Sequence, residues 1–254
     1  MAGSSPLRFA DFVSPTPAAA PRGAATGGTP MHREPMSVLP ETLEESTALY
    51  PLPEGELRRL DLRKWILNYV PKGGVGAEVG AFRGHFSETL LQWLEPRKAW
   101  FVDGWTRRGE FYGDDKDRLL TSDGTLPTAL ARQEAQWRTE RFVNVERRYV
   151  EGTFPACAGK IDDPLDWLYL DLDLDLDVDA IVAALHVAEG MMTPKGILFG
   201  NGWWPNTTTA HNALFQAVTH FTRKTKYEIV AAGPYGQWAV RHRGAWRGKK
   251  QRDE

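Results

Sequence analysis

"VGAEVGAFRGHFSETLLQWL", residues 75 to 94, changes character halfway along. Val75 to Val79 is a short, mostly apolar run of strand length that turns at Gly80, and from His85 the apolar residues fall at helical spacing. A strand passing into a helix through a glycine turn opens a strand–helix–strand unit, and "AWFVD", residues 99 to 103, supplies its second strand. Gly80 and Gly84 let the backbone turn tightly and approach a ligand, while the helix behind them offers its N-terminus.

Upstream, "ELRRLDLRKWILNYV" has apolar residues at 57, 60, 62, 65, 66 and 69, one face of a single helix stopped by Pro71, Gly73 and Gly74. Downstream, a long polar stretch leads to a predicted helix over 126–142 and a strand over 144–150. Then follow a strand over 167–171, a helix over about 178–190, a strand over 196–200 and a helix over 209–222. "YEIVAA" and "QWAVRH" flank a Gly233-Pro234 turn and read as a closing hairpin. Strands alternating with helices predict an α/β fold, a doubly wound and mostly parallel sheet with helices on both faces, and the hairpin adds one antiparallel strand at its end.

The chain has 254 residues, 42% of them hydrophobic, enough for one sizeable core. Residues 1–45 are rich in Pro, Ala, Gly, Ser and Thr without periodicity and read as an arm that is disordered or ordered by a partner; a transit peptide is an alternative reading. The folded domain is expected over 46–243 and a basic tail over 244–254. A net charge of −2 gives no overall signal for nucleic acid, and no apolar run is long enough to span a membrane. The single cysteine, Cys157, permits neither an internal disulfide nor a cysteine zinc site, which fits a soluble cytoplasmic protein. A homo-oligomeric state stays open.

Ligands of doubly wound sheets bind beyond the carboxyl ends of the strands, where strand order reverses. Asp103 ends the second strand, 25 residues after Glu78, placed to accept two ribose hydroxyls. With the glycine turn it points to a nucleoside ligand. Two other readings remain: glycines that only make the turn, and an NAD site on "GVGAEVG", which would need its strand before Gly74, where Pro71 and Lys72 suit a strand poorly.

The pattern acid, any residue, Gly, three residues, Gly, with an acid closing the next strand, resembles the class I S-adenosylmethionine-dependent methyltransferases. Three stretches carry the likeness: "GAEVGAFRGHFSETLL" with "FVDGW", "YVEGTFPA", and "DWLYLDLD" with "PKGILFGNGWW". It is nearest to the small-molecule O-methyltransferases, including those that act on sugars and antibiotics of secondary metabolism. The resemblance implies a Rossmann-like seven-stranded sheet, S-adenosylmethionine as cofactor and a small-molecule acceptor. It places Gly80, Ala81, Phe82 and Gly84 along the methionine end of the cofactor and Glu78 beneath it. Asp103, Gly104 and Trp105 fall at the ribose, Glu151, Gly152 and Thr153 near the adenine, and Asp171 facing the methyl group.

"DLDLDLDVD", residues 171–179, then divides. A strand of ordinary length ends near Asp171, Asp173 and Asp175 fall in the loop, and Asp177 or Asp179 caps the next helix. In metal-dependent relatives acids here and a polar pair after the fifth strand bind a divalent ion. The equivalents are Asp171, Asp173 and Asn201, so Mg2+ is a candidate second cofactor. Asp171, Asp173 and His211 are the candidate catalytic groups, with surface or capping roles the plainer reading of His211. His85 adjoins the turn. Trp203 and Trp204 read equally as an aromatic wall for a ring substrate or as packing, and residues 105–124 as a lid or a solvated loop.

Overall fold

A computed structural model describes residues 39–52, 54–105, 118–121, 124–172, 176–205 and 212–244. Two short helices lead in, α1 (Leu43–Leu49) and α2 (Glu54–Arg63). Thr42 caps α1, its side chain accepting from the Glu45 N–H, so the first helix begins just inside the segment assigned to the arm. The single helix expected before the first strand is instead α2 tightening into a 3-10 turn at Lys64–Tyr69, as helix ends often do.

The alternating part then runs β1 (Val75–Val79), α3 (His85–Leu94), β2 (Lys98–Asp103), β3 (Arg118–Thr121), β4 (Gly124–Pro127), α4 (Thr128–Glu140), β5 (Glu146–Glu151) and β6 (Leu165–Leu170). It closes with α5 (Val178–Met191), β7 (Met192–Gly200), α6 (Ala213–Lys224), β8 (Tyr227–Ala232) and β9 (Trp238–His242). β3 and β4 form a small antiparallel ribbon where only a polar stretch had been expected. The other strands form one seven-stranded sheet in the order β5-β2-β1-β6-β7-β9-β8.

Strand order reverses between β1 and β6, the point where successive crossovers leave in opposite directions. β9 is antiparallel to both β7 and β8. The hairpin closes the sheet as expected with one antiparallel strand: β8 takes the edge and β9 folds back into the gap between it and β7. Along β1, Val75, Ala77 and Val79 enter the core beneath α5 and α6, whereas Gly76 and Glu78 face the side covered by α3. Gly76 leaves room for an indole, because a Cβ there would lie 1.8 Å from the buried ring of Trp167. No helix among the described residues is long and apolar enough to cross a membrane.

Candidate active site

At the reversal point the carboxyl ends of β1, β6 and β7 continue their pairing by one residue and then part. The Asp171 N–H donates to the Val79 carbonyl at 3.0 Å, and the Asn201 N–H to the Leu170 carbonyl at 3.0 Å. Gly80 has φ +90°, and a Cβ on it would lie 2.6 Å from the Asp171 carbonyl oxygen, so both the turn and the close approach need glycine. Beyond them opens a cleft of about 280 Å3. It brings together Glu78, Gly80, Ala81, Phe82 and Asp171 of the expected site, with His85 and Phe86 at the start of α3 and with Arg59 and Arg63 from α2.

Arg63 was not singled out by sequence, because it sits in an amphipathic helix that reads as solvated on its charged face. It is 5% exposed. Its Nη1 donates to Asp171 Oδ2 at 3.1 Å, and Asn201 Nδ2 donates to Asp171 Oδ1 at 3.0 Å. Asn201 Oδ1 accepts in turn from Gln237 Nε2 at 2.9 Å, and Gln237 Oε1 accepts from the Tyr169 hydroxyl at 3.3 Å. Burial opposes the charge on Arg63, but Tyr169 and Asp171 more than offset this and its pKa stands above the ordinary value. The same surroundings, burial first and then Asp171, push the Tyr169 hydroxyl well up. Gln237 is fully buried in the turn between β8 and β9, and only the fold brings it here.

Of the metal set expected from sequence, Asp171 and Asn201 meet here, and Asp173 lies outside the described residues. Asn201 turns its N–H2, a donor, toward Asp171 and spends its oxygen on Gln237, whereas Mg2+ and Ca2+ take oxygens. No group of three or more His, Cys, Asp or Glu that could hold a metal occurs among those residues. Asp173, Asp175 and His211 lie outside them, as do residues 106–117. Asp177 caps α5 as expected, accepting from the Ala180 N–H at 2.8 Å.

Glu78 lies under the cleft, 1% exposed, and accepts from the Ser87 hydroxyl. Burial pushes its carboxyl up to about 8, only partly countered by the Ser87 bond. The unfolded chain ionises Glu78 near 4.5, so folding takes up a proton between that value and about 8. Its contribution to stability is full below pH 4.5, is lost as pH rises toward 8, and stays lost above. Glu78→Gln keeps a partner for Ser87 without the titration. Urea unfolding at about pH 5, 7 and 9 is expected to show the variant gaining on the native protein by a few kcal/mol as pH rises, and parallel curves would refute the assignment. His85 is held neutral, pushed down to about 3 by burial and by Arg138 and Arg83.

The remaining expected residues stand along the edge toward β2 and β5. Asp103 Oδ2 accepts from the Phe82 N–H at 2.9 Å and Oδ1 from the Trp105 N–H at 2.8 Å, while Trp105 Nε1 donates to the Phe82 carbonyl at 2.8 Å. Phe82 and Trp105 both have left-handed backbones, at φ 45° and 39°, and the carboxylate clamps the two loops in that conformation. Gly104 lies between Asp103 and Trp105. Glu151 ends β5 opposite Asp103 and pairs with Arg132 at 2.7 Å; Gly152 and Thr153 follow, the Gly152 N–H donating to the Asp103 carbonyl at 3.0 Å. Gly84 lies at the start of α3. A Cβ on it would lie 2.7 Å from Ala135 Cα, so its missing side chain admits α4.

Arg83, between them, donates from Nε and Nη2 to both oxygens of Glu134, at 2.5 and 2.9 Å, and from Nη2 to the Tyr50 carbonyl at 2.6 Å. Ser46 also donates to Glu134, so this buried pair ties α1 and α4 to the turn. Of the two tryptophans after β7, Trp203 packs edge-on against Phe215, with centroids 4.9 Å apart. Trp204, 39% exposed, covers Gly236. The NAD reading fails on position: of its glycines Gly74 precedes β1 and Gly76 lies inside it, whereas a dinucleotide fingerprint follows its strand.

No protein-family model matches the chain, and no curated protein matches its sequence. Solved structures do. An SAH-bound methyltransferase from Podospora anserina is 12% identical with TM-score 0.49, the match covering 80% of this chain and 88% of that one. The O-methyltransferase TomG from Streptomyces achromogenes, involved in tomaymycin synthesis and in complex with SAM, is 12% identical with TM-score 0.46, covering 80% and 89%. An rRNA methylase from Streptococcus thermophilus is 8% identical with TM-score 0.45, covering 71% and 92%. Strands ordered β5-β2-β1-β6-β7-β9-β8 with only β9 antiparallel form a doubly wound, Rossmann-like α/β sheet.

Proposed function

We propose that this chain is an S-adenosylmethionine-dependent methyltransferase acting on a hydroxyl of a small molecule. The observation that carries the reading is one convergence at the reversal point: a left-handed Gly80 turn, a buried Glu78, Asp103 at the end of β2 and Asp171 at the end of β6. These residues fit the cofactor. Gly80 turns the backbone at the mouth of the cleft, and Glu78 is a buried carboxyl at its floor. S-adenosylmethionine supplies a methyl group on a sulfonium, whose displacement by an acceptor oxygen leaves S-adenosylhomocysteine and a proton.

The chain's own part is to position and to shield. Asp103, which clamps Phe82 and Trp105 at the end of β2, would accept the ribose hydroxyls. Asp171, one-third exposed and pinned on two sides, accepts a hydrogen bond from the acceptor hydroxyl and directs its oxygen at the methyl carbon. A small acceptor is supported by a net charge of −2, which offers no field for a polyanion. The satisfied state of Asp171 equally favours a second reading, a protein of this fold that binds the cofactor without transferring its methyl group.

Calorimetry with S-adenosylmethionine and S-adenosylhomocysteine tests the first step. Binding of both is expected, and Asp103→Ala should weaken it at least tenfold, about 1.4 kcal/mol. No heat with either ligand would sink both readings. Methyl transfer to a panel of sugars and phenols separates them, because the second predicts binding without turnover.

A further inference from the structure

We propose that Arg63 is the fixed cation of the acceptor site, occupying the role beside Asp171 that a divalent metal would otherwise fill, so that this centre positions its acceptor without a metal. The inference rests on the methyltransferase reading for its substrate, and on geometry alone for its cation. Both Asp171 oxygens already accept a donor, Oδ2 from Arg63 at 3.1 Å and Oδ1 from Asn201 at 3.0 Å. A divalent ion coordinated by this carboxylate would stand against the buried guanidinium, a repulsion that low dielectric magnifies.

The direction of the Asn201 amide is set at both ends. Gln237 Nε2 donates to Asn201 Oδ1 at 2.9 Å and to the Tyr235 carbonyl at 3.1 Å, and its Oε1 accepts from Tyr169. Turning Asn201 over would face N–H2 against N–H2 on one side and oxygen against carboxylate on the other; turning Gln237 over as well would break its bond to Tyr235. The ring therefore holds Asn201 as a donor. Asp171 keeps about a third of its side chain exposed, so each oxygen has a second lone pair free to accept from an entering hydroxyl. Arg63 acts through Asp171 and is a positioning residue: it neutralises the carboxylate and fixes its plane.

The test begins with the full-length protein and metal alone. Calorimetric and electron-spin titrations with Mn2+ and Mg2+ are expected to show no binding at millimolar metal, and a chelator should leave methyl transfer unchanged. The double variant Arg63→Met, Asn201→Asp, which sets two carboxylates face to face without the guanidinium, should gain Mn2+ binding. Arg63→Ala should lose turnover roughly a hundredfold while keeping its affinity for S-adenosylhomocysteine, with Arg63→Lys or added guanidinium ion restoring part of it. Micromolar Mn2+ binding to the native protein that Asp171→Asn abolishes, or full turnover in Arg63→Ala, would overturn the proposal. S-adenosylhomocysteine binding to the native protein is read separately, so a failed methyltransferase reading is distinguished from a failed Arg63 role.

Discussion

Glu134→Ala is expected to destabilise the folded domain by about 3–5 kcal/mol, the largest effect of any single side chain outside the apolar core. Glu134 is fully buried and receives both arms of Arg83, which is itself 4% exposed and reaches the Tyr50 carbonyl. Removing the carboxylate strands a guanidinium where water cannot replace the lost partner. It also frees the Ser46 hydroxyl and loosens α1 from α4. The double variant Arg83→Met, Glu134→Leu removes the pair together and is expected to recover most of the loss, since an apolar replacement of a buried pair costs little. Urea unfolding of the three variants checks this, and a single variant within 1 kcal/mol of the native protein, on the order of an exposed pair, would show that water reaches the site.

Gly80→Ala should cost about 2–4 kcal/mol and abolish cofactor binding. Its φ of +90° is poorly tolerated by an L side chain, and the added Cβ would lie 2.6 Å from the Asp171 carbonyl, a backbone atom that cannot rotate away. Relief requires β1 and β6 to part at the point where the cleft opens, moving Glu78 and Asp171 apart. Gly190 in α5 is the control. A Cβ there meets nothing within 4 Å, so Gly190→Ala should stabilise the protein by about 0.5–1 kcal/mol through helix propensity alone. Thermal unfolding with and without S-adenosylhomocysteine reads both, and unchanged ligand stabilisation in Gly80→Ala would show that this turn is not the cofactor's.

Much of the fold was legible because its signals are local. The run Val75–Val79 and the helix His85–Leu94 stand where the change of period put them, and Asp177 caps its helix as a lone aspartate before an apolar face should. What local pattern left open was long-range. The closing hairpin was plain in "YEIVAAGPYGQWAVRH", but which of its strands meets β7 depends on where the α6 crossover sets β8 down. Gly84 and Gly80 look alike in sequence; one admits a helix and the other a strand end.

Local pattern was enough for the alternating fold, the turn after the first strand and the acids at the ends of β2 and β6, because periodicity and chain punctuation act over a few residues. What surrounds those acids depends on long-range packing. Arg63, Gln237 and Glu134 come from distant segments with ordinary local patterns, and burial converts each from a solvated side chain into a partner that must be satisfied. Asn201 shows the difference most sharply: its place after the fifth strand suggests an oxygen for a metal, and Gln237, 36 residues away in sequence, turns it into a donor.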